Sequence, residues 1–184
     1  SLGVGESTWR VEAEALPHMW ALAGAVLDDQ LYACVPNTGL VRFDPATKTW
    51  TPITGPTRTR SAQVAAWNGE IWIMGGCDIT DWSETWIYNP AQKQWRAGPA
   101  LPVPLAWGAA AVINDQLIVA GGAGLRGPAA ENNYVFSDRT YALNRESAGA
   151  HAQDSVLAQG SAPRWSDSAL RGTGGPSLPF TTQR

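Results

Sequence analysis

The sequence predicts an all-β protein built from repeated four-stranded antiparallel sheets. Its 184 residues include 19 glycines and 13 prolines, and only 16% of them are charged. Glycine and proline break helices and occupy tight turns, so this composition favours many short strands. Short apolar stretches alternate with turn dipeptides, and several features recur at a spacing of about 45 residues. Composition, turns and spacing therefore agree on one fold class.

The spacing is clearest for aromatic residues. Trp9, Trp50 and Trp95 are separated by 41 and 45 residues. Two tripeptides, Phe43-Asp44-Pro45 and Tyr88-Asn89-Pro90, are also 45 residues apart. Features that repeat in register indicate one structural unit used several times.

Each repeat also contains a two-residue turn between apolar strands. These turns are Asp28-Asp29, Asn68-Gly69 and Asn114-Asp115. Such dipeptides suit hairpins whose central residues need positive φ. The second and third turns are followed by strands that end in Gly75-Gly76 and Gly121-Gly122, whereas the first copy has lost its glycine pair.

Together these features over residues 7–144 resemble the kelch repeat, which implies a β-propeller. In a propeller, each four-stranded blade packs face to face on its neighbours. The resemblance implies that most tryptophans fill the wedge between blades, burying on the order of 200 Å² each. We expect the glycine pairs to let inner strands approach closely.

The predicted fold class is thus all-β, a partial kelch β-propeller with a disordered C-terminal tail. Blades are expected at about residues 18–53, 57–98 and 105–144, with the third lacking its last strand. Ser7–Val11 is expected to be an orphan N-terminal strand. Residues 145–184 are predicted to be a low-complexity, disordered tail, because 20 of these 40 residues are Gly, Ala, Ser or Pro. The alternative is that Trp165 adds a strand to the third blade.

An incomplete propeller leaves apolar blade faces without neighbours. We therefore expect the remaining blades of a longer parent chain, or a second copy, to be needed to close the ring.

The loops are the expected place for a ligand, because propeller ligands bind on one face or at the channel mouth. Tryptophan can stack on a ligand, while Arg and Asn make hydrogen bonds of fixed geometry. Asp78 is also the one weak catalytic candidate. The alternative is that the ligand-binding candidates, which the next sentence names, are solvated loop residues. The ligand-binding candidates are Arg58, Arg60, Asp78, Glu84, Trp107, Arg126, Glu131 and Asn132.

A second resemblance concerns residues 114–127 and the pair Glu131-Asn132. They are similar to a blade of bacterial sialic acid mutarotases (N-acetylneuraminate epimerases), which are periplasmic kelch propellers. The resemblance implies an acid/base glutamate and an arginine in the preceding blade, at positions that Cys77 and Ser83 occupy here. Asp78 could replace the acid.

The favoured functional hypothesis is a ligand-binding propeller module that recognises a carbohydrate or a protein segment through its loops. The alternative hypothesis is a mutarotase-like isomerase, with the missing groups supplied by other blades. A third interpretation is a eukaryotic kelch adaptor for ubiquitin ligases, which usually has an upstream BTB-type domain. The resemblance to the bacterial family favours a periplasmic or extracellular location.

Other functions are disfavoured by composition. A net charge of −3 and a pI of about 5.3 give no basic surface for nucleic acid. No apolar run reaches the roughly 18 residues needed to span a membrane. With only two histidines, a histidine-based metal site or triad is not expected, nor is a cofactor. Cys34 and Cys77 are interpreted as thiols, with a disulfide as the alternative.

Overall fold

The computed structural model describes residues 4–5, 7–9, 11, 13, 23–56, 60–77, 82–125, 134–144 and 165–167. Within these residues there are fourteen β-strands and no helix. No described segment is therefore a helix long and apolar enough to cross a membrane. The strands are β1 Ala23–Leu27, β2 Gln30–Val35, β3 Gly39–Asp44, β4 Thr49–Ile53, β5 Gln63–Trp67, β6 Glu70–Met74, β7 Thr85–Asn89, β8 Gln94–Ala97, β9 Ala109–Ile113, β10 Gln116–Ala120, β11 Ala123–Leu125, β12 Tyr134–Phe136, β13 Thr140–Asn144 and β14 Ser166–Asp167.

Twelve of these strands form three antiparallel four-stranded sheets, or blades. Their strand orders are β1-β2-β3-β4, β5-β6-β7-β8 and β9-β10-β13-β14. Strands β11 and β12 form a separate hairpin between β10 and β13. The predicted all-β fold and partial propeller architecture are confirmed.

The blades are arranged as wedges around their first strands. Strand β1 lies beside β5, and β5 lies beside β9, whereas the third and fourth strands of neighbouring blades make few contacts. The first strands are therefore the innermost, as in a propeller.

The predicted hairpin turns between first and second strands are also confirmed. Both central residues have positive φ in each turn, at 50° and 58° for Asp28-Asp29 and 54° and 73° for Asn68-Gly69. Asn114-Asp115 has φ of 50° and 59°. Asn, Asp and Gly tolerate this conformation, which matches the twist of the flanking strands.

Two apolar clusters hold the blades together. Between the first and second blades, Tyr32 and Leu40 pack with Ile71, Ile73 and Tyr88. The second and third blades share a larger cluster, and burial of large apolar side chains contributes about 1.5–3 kcal/mol each. Its main members are Trp67, Trp72, Met74, Ile87, Leu101, Leu105, Leu117, Val119, Tyr141, Leu143 and Trp165.

The repeated tryptophans pack against an aromatic residue on the third strand. Phe43 and Trp50 have ring centroids 5.0 Å apart, and so do Tyr88 and Trp95. The Trp95 Nε1–H also donates to the Thr54 carbonyl at 2.9 Å, which ties the second blade to the connection from the first. Trp95 thus packs between two blades, as expected, whereas Trp50 packs on Ala33, Val35 and Val41 of its own blade.

The third blade ends on a short fourth strand. Strand β14 pairs with β13 through Tyr141 opposite Asp167 and Ala142 opposite Ser166. Continuing that register by one step places Trp165, which is 7% exposed, opposite Leu143. This is the position that Trp50 and Trp95 take opposite Phe43 and Tyr88. The alternative interpretation of Trp165 therefore holds, although β14 has two residues where β4 has five.

Two other expected segments are only partly described. Residues 7–9 and 11 are not in a strand, and Trp9 and Val11 are 78% and 86% exposed. A single strand has no backbone hydrogen bonds until a sheet edge is supplied. Within the predicted tail, residues 145–164 and 168–184 lie outside the described residues.

The glycine pairs were expected to allow a close approach between inner strands, but they approach a different segment. Gly75 and Gly76 have φ of 63° and 108°, and Gly121 and Gly122 have φ of 65° and 94°. The Gly76 N–H donates to the Leu105 carbonyl at 2.9 Å. The close approach is to the segment that links the blades, not between inner strands, because each pair ends a second strand where that segment passes.

Candidate ligand-binding face

The loops after each second strand and the connections between blades share one end of the propeller. This follows from the strand directions, since second strands end where first strands begin. We call this end the loop face and define it by described residues alone, which are 36–38, 54–56, 60–62, 75–77, 82–84, 98–108, 121–125 and 134–139.

Backbone hydrogen bonds join these segments across the blades. The Cys77 N–H donates to the Arg60 carbonyl at 2.9 Å, and the Leu105 N–H donates to the Trp82 carbonyl at 3.1 Å. Ala106 and Ala123 exchange two hydrogen bonds of 2.8 Å. The described loops are therefore fixed to one another, which gives a ligand site a rigid base.

Trp107 occupies a strained position on this face. Its φ is 58°, and its side chain is 49% exposed. Ser61 holds the equivalent place before β5 with φ of 56°, and its carbonyl accepts the Trp107 N–H at 2.9 Å. Left-handed backbone costs about 1–2 kcal/mol for a residue with a side chain, so a bulky aromatic there needs a reason.

A buried amide fixes the backbone beside Trp107. Gln63 is 1% exposed. In the orientation that satisfies its amide, the oxygen accepts the Gly108 N–H at 3.0 Å and the nitrogen donates to the Met74 carbonyl. The strained turn is thereby fastened to the second blade.

Trp107 lies between two other aromatic residues. Its ring is 5.9 Å from that of Trp82 at 82°, and 5.2 Å from that of Tyr134 at 88°. Both are edge-to-face contacts, which add about 0.5–1.5 kcal/mol each. We call Trp82, Trp107 and Tyr134 the aromatic cluster. It presents ring surface on the loop face, because Trp107 and Tyr134 are both more than two-fifths exposed.

An apolar groove adjoins the cluster. The β11–β12 hairpin and the connection between the second and third blades enclose a cavity of about 330 Å³. Phe136 is 82% exposed and Val135 43% exposed. The main residues that line this cavity are Val103, Leu105, Val135, Phe136, Arg139 and Tyr141.

Three of the sequence-predicted site residues are described. Trp107 belongs to the aromatic cluster, and Arg60 directly precedes its hydrogen-bond partner Ser61. Glu84 is exposed, and its Oε2 accepts the Trp86 Nε1–H at 3.2 Å. The other candidates lie outside the described residues and stay predictions. They are Arg58, Asp78, Arg126, Glu131 and Asn132.

The two positions implied by the mutarotase resemblance are described. Cys77 is half-buried, and the Ser83 carbonyl accepts the Leu101 N–H at 2.8 Å. Cys34 is buried, and the two cysteines form no disulfide with each other. In the described part of the chain, no group of three or more His, Cys, Asp or Glu residues could hold a metal ion.

The sequence placed Trp82 and Tyr134 in the candidate loops without selecting them as ligand-binding residues, and it did not indicate Phe136. The run Tyr134-Val135-Phe136 is apolar and β-prone, which is a usable signal for a strand inside the loop. Its pairing with β11, and the contact of Trp107 with two rings, depend on loops that are distant in sequence.

Comparisons with known proteins identify the repeat. The kelch motif matches residues 58–102, which span the second blade. The chain is 33% identical over 115 residues to Kelch-like protein 33 of Homo sapiens, covering 55% of this chain and 21% of that protein. It is 35% identical over 99 residues to Kelch repeat and BTB domain-containing protein 12 of Danio rerio, covering 45% and 16%. The chain thus spans about a fifth of the length of these curated relatives.

A solved structure shows the same fold. The structure of YjhT superposes with a TM-score of 0.63 at 16% identity, covering 75% of this chain and 51% of that one. At this identity the likeness establishes the fold alone. The chain therefore carries a kelch repeat within a partial β-propeller.

Proposed function

We propose that this chain forms part of a kelch propeller that binds a protein segment on its loop face, through the aromatic cluster. The observation that carries the proposal is Trp107, which is half-exposed, in left-handed backbone and placed between two rings. Strained residues persist where the surrounding structure holds them, and they concentrate at ligand sites. Exposed, rigidly held Trp and Tyr are the residues that dominate protein interfaces.

The neighbouring groove favours a protein segment over a carbohydrate. Val103, Val135 and Phe136 expose apolar surface there, at 38%, 43% and 82%. Such a surface complements apolar side chains of a peptide, whereas a sugar needs several polar partners at fixed distances. The carboxylate of Glu84, a polar candidate on this face, already accepts a hydrogen bond from the indole N–H of Trp86. A sugar ring stacked on Trp107 is the competing ligand.

The mutarotase-like isomerase remains the alternative enzymatic proposal, and it rests on the resemblance of residues 114–127. Ring opening needs a positioned proton donor and acceptor. Its test is anomer exchange of N-acetylneuraminate by the full-length parent protein, followed by NMR, and a rate equal to that in buffer removes it.

The binding proposal is tested with peptides selected from a random phage-displayed library against the wild-type chain. Trp107→Gly removes the ring and also relieves the left-handed strain. We expect peptide affinity to fall about 30-fold or more, as for loss of an interface hot spot. The free energy of unfolding should change by no more than about 1 kcal/mol, because strain relief offsets the lost ring contacts.

The matched control is Trp9→Ala, which removes an exposed tryptophan outside the cluster. It should leave peptide affinity unchanged. Equal affinity of the wild type and Trp107→Gly for every selected peptide would overturn the proposal. Binding of a glycan from an array, abolished by Trp107→Gly while no peptide binds, would assign the face to carbohydrate instead.

A further inference from the structure

A second cavity lies on the outer rim between the first and second blades. We call it the rim pocket, and its volume is about 370 Å³. Strand β4 and the turn between β7 and β8 form most of its walls, and Thr54, just after β4, is the one lining residue that it shares with the loop face. Its polar lining residues are Tyr32, Arg42, Thr51, Thr54, Tyr88 and Lys93.

The corresponding position in the interface between the second and third blades is filled by apolar side chains. By register, Tyr32 and Arg42 of the first blade correspond to Trp72 and Ile87 of the second. Trp72 is 1% exposed and Ile87 is 0% exposed. Arg42, in contrast, is exposed beside a cavity. The rim pocket is therefore a specific difference between two otherwise repeated interfaces.

The two charged residues that line the rim pocket, Arg42 and Lys93, are both cations, while the Asp28 carboxylate acts on Tyr32 from outside the lining. Among the described residues, no ion pair is formed by Arg42 or Lys93, whereas Arg96 of the second blade pairs with Glu70 at 2.6 Å. Asp44 lies near Arg42, but its carboxylate accepts the Ala46 N–H at 2.8 Å and the Thr47 N–H at 3.3 Å. These hydrogen bonds hold the pKa of Asp44 below its ordinary value of 3.8 and engage its carboxylate.

The tyrosines add neutral donors. Burial raises the pKa of Tyr32, while the charge of Arg42 and a hydrogen bond with it act in the opposite direction. The Tyr32 hydroxyl therefore stays protonated at neutral pH and can donate. Tyr88 faces the same cavity from the second blade.

We propose that the rim pocket binds the oxyanion of a small organic ligand, either a carboxylate or a phosphate. Arg42 and Lys93 approach the cavity from opposite blades, which suits an anion held between two cations. A phosphate or carboxylate group alone is much smaller than 370 Å³. The rest of the ligand contacts Pro52, Ile53 and Pro90, so an aromatic or short aliphatic group completes it.

The experiment uses isothermal calorimetry on the full chain at constant ionic strength, with phenyl phosphate, benzoate and inorganic phosphate as probes. We expect one saturable site, with phenyl phosphate or benzoate binding more tightly than inorganic phosphate. Which of the two organic probes binds decides between phosphate and carboxylate. Lys93→Gln and Arg42→Gln should each weaken binding about tenfold, as for loss of a charged hydrogen bond.

Lys48→Gln is the matched control, because Lys48 has the equivalent place in the turn between β3 and β4, with φ of 55° against 54° for Lys93. It removes the same charge but does not line the rim pocket. Equal weakening by Lys48→Gln and Lys93→Gln would overturn the proposal by showing a general charge effect. Lack of saturable binding by all three probes would also overturn it, and would leave the peptide site on the loop face untouched.

Discussion

Ten described residues other than glycine adopt a left-handed φ, and eight of them lie in tight turns. Five of the eight are Asp or Asn in the hairpins between first and second strands, where the local sequence was sufficient to predict the conformation. Ser61 and Trp107 are different, because their backbone is set by a hydrogen bond to each other across two blades. Nothing in the neighbouring sequence of Trp107 indicates that conformation, which is why only its place before the first strand was predicted.

The first glycines of the two pairs allow a stability test on single residues. Gly75 and Gly121 are equivalent, with φ of 63° and 65°. A Cβ added to Gly121 would lie 3.8 Å from its nearest neighbour, the Ser137 carbonyl oxygen, whereas one added to Gly75 would collide with the Leu105 carbonyl oxygen. We expect Gly121→Ala to lower the free energy of unfolding by about 1–2 kcal/mol, from backbone strain alone.

Gly75→Ala should lower it clearly more, because the linking segment must also move. Urea denaturation of both variants measures the difference. Equal losses would show that the linking segment yields readily, and would contradict the role assigned to the pair.

Among the elements, β14 shows where sequence periodicity stops being informative. The spacing of about 45 residues predicted the strands of the first two blades, because each third strand connects to its fourth through four residues, 45–48 and 90–93. In the third blade, 21 residues separate β13 from β14, so no repeat spacing marks Trp165. Only the pairing register shows that Trp165 matches Trp50 and Trp95.

This assignment predicts a large effect of removing Trp165. Its side chain packs with Tyr141 and Leu143 in the cluster between the second and third blades. We expect Trp165→Ala to lower the free energy of unfolding by about 3–5 kcal/mol, as for other buried aromatic residues. Denaturant unfolding monitored by circular dichroism is the measurement.

Two further variants make the result specific to packing. Trp165→Phe should cost less, since it keeps a ring and removes an indole N–H that has no hydrogen-bond partner among the described residues. Trp9→Ala, at a site 78% exposed, should change stability by less than about 0.5 kcal/mol. If Trp165→Ala behaved like Trp9→Ala, the third blade would not depend on β14.

At the scale of the whole molecule, the outer face of the first blade differs from the uniformly open surface that was expected. On the first blade, Ala33, Val35 and Val41 are buried and pack with Trp50. Val26 and Leu31 on the same face are 63% and 36% exposed. The sequence could not predict this division, because the repeat pattern assigns the same outward direction to all of them.

The exposed residues on these faces predict self-association of the isolated chain. Val26 on the first blade and Ile113 on the third, which is 55% exposed, face away from the second blade. A propeller normally covers such faces with neighbouring blades. We therefore expect light scattering to give a mass above 19.6 kDa that rises with concentration.

The double variant Val26→Lys with Ile113→Lys should lower that mass towards 19.6 kDa. Val4→Lys, at a fully exposed residue outside both faces, should not. A wild-type mass of 19.6 kDa at all concentrations, with a sharp thermal transition, would show that three blades suffice without a partner.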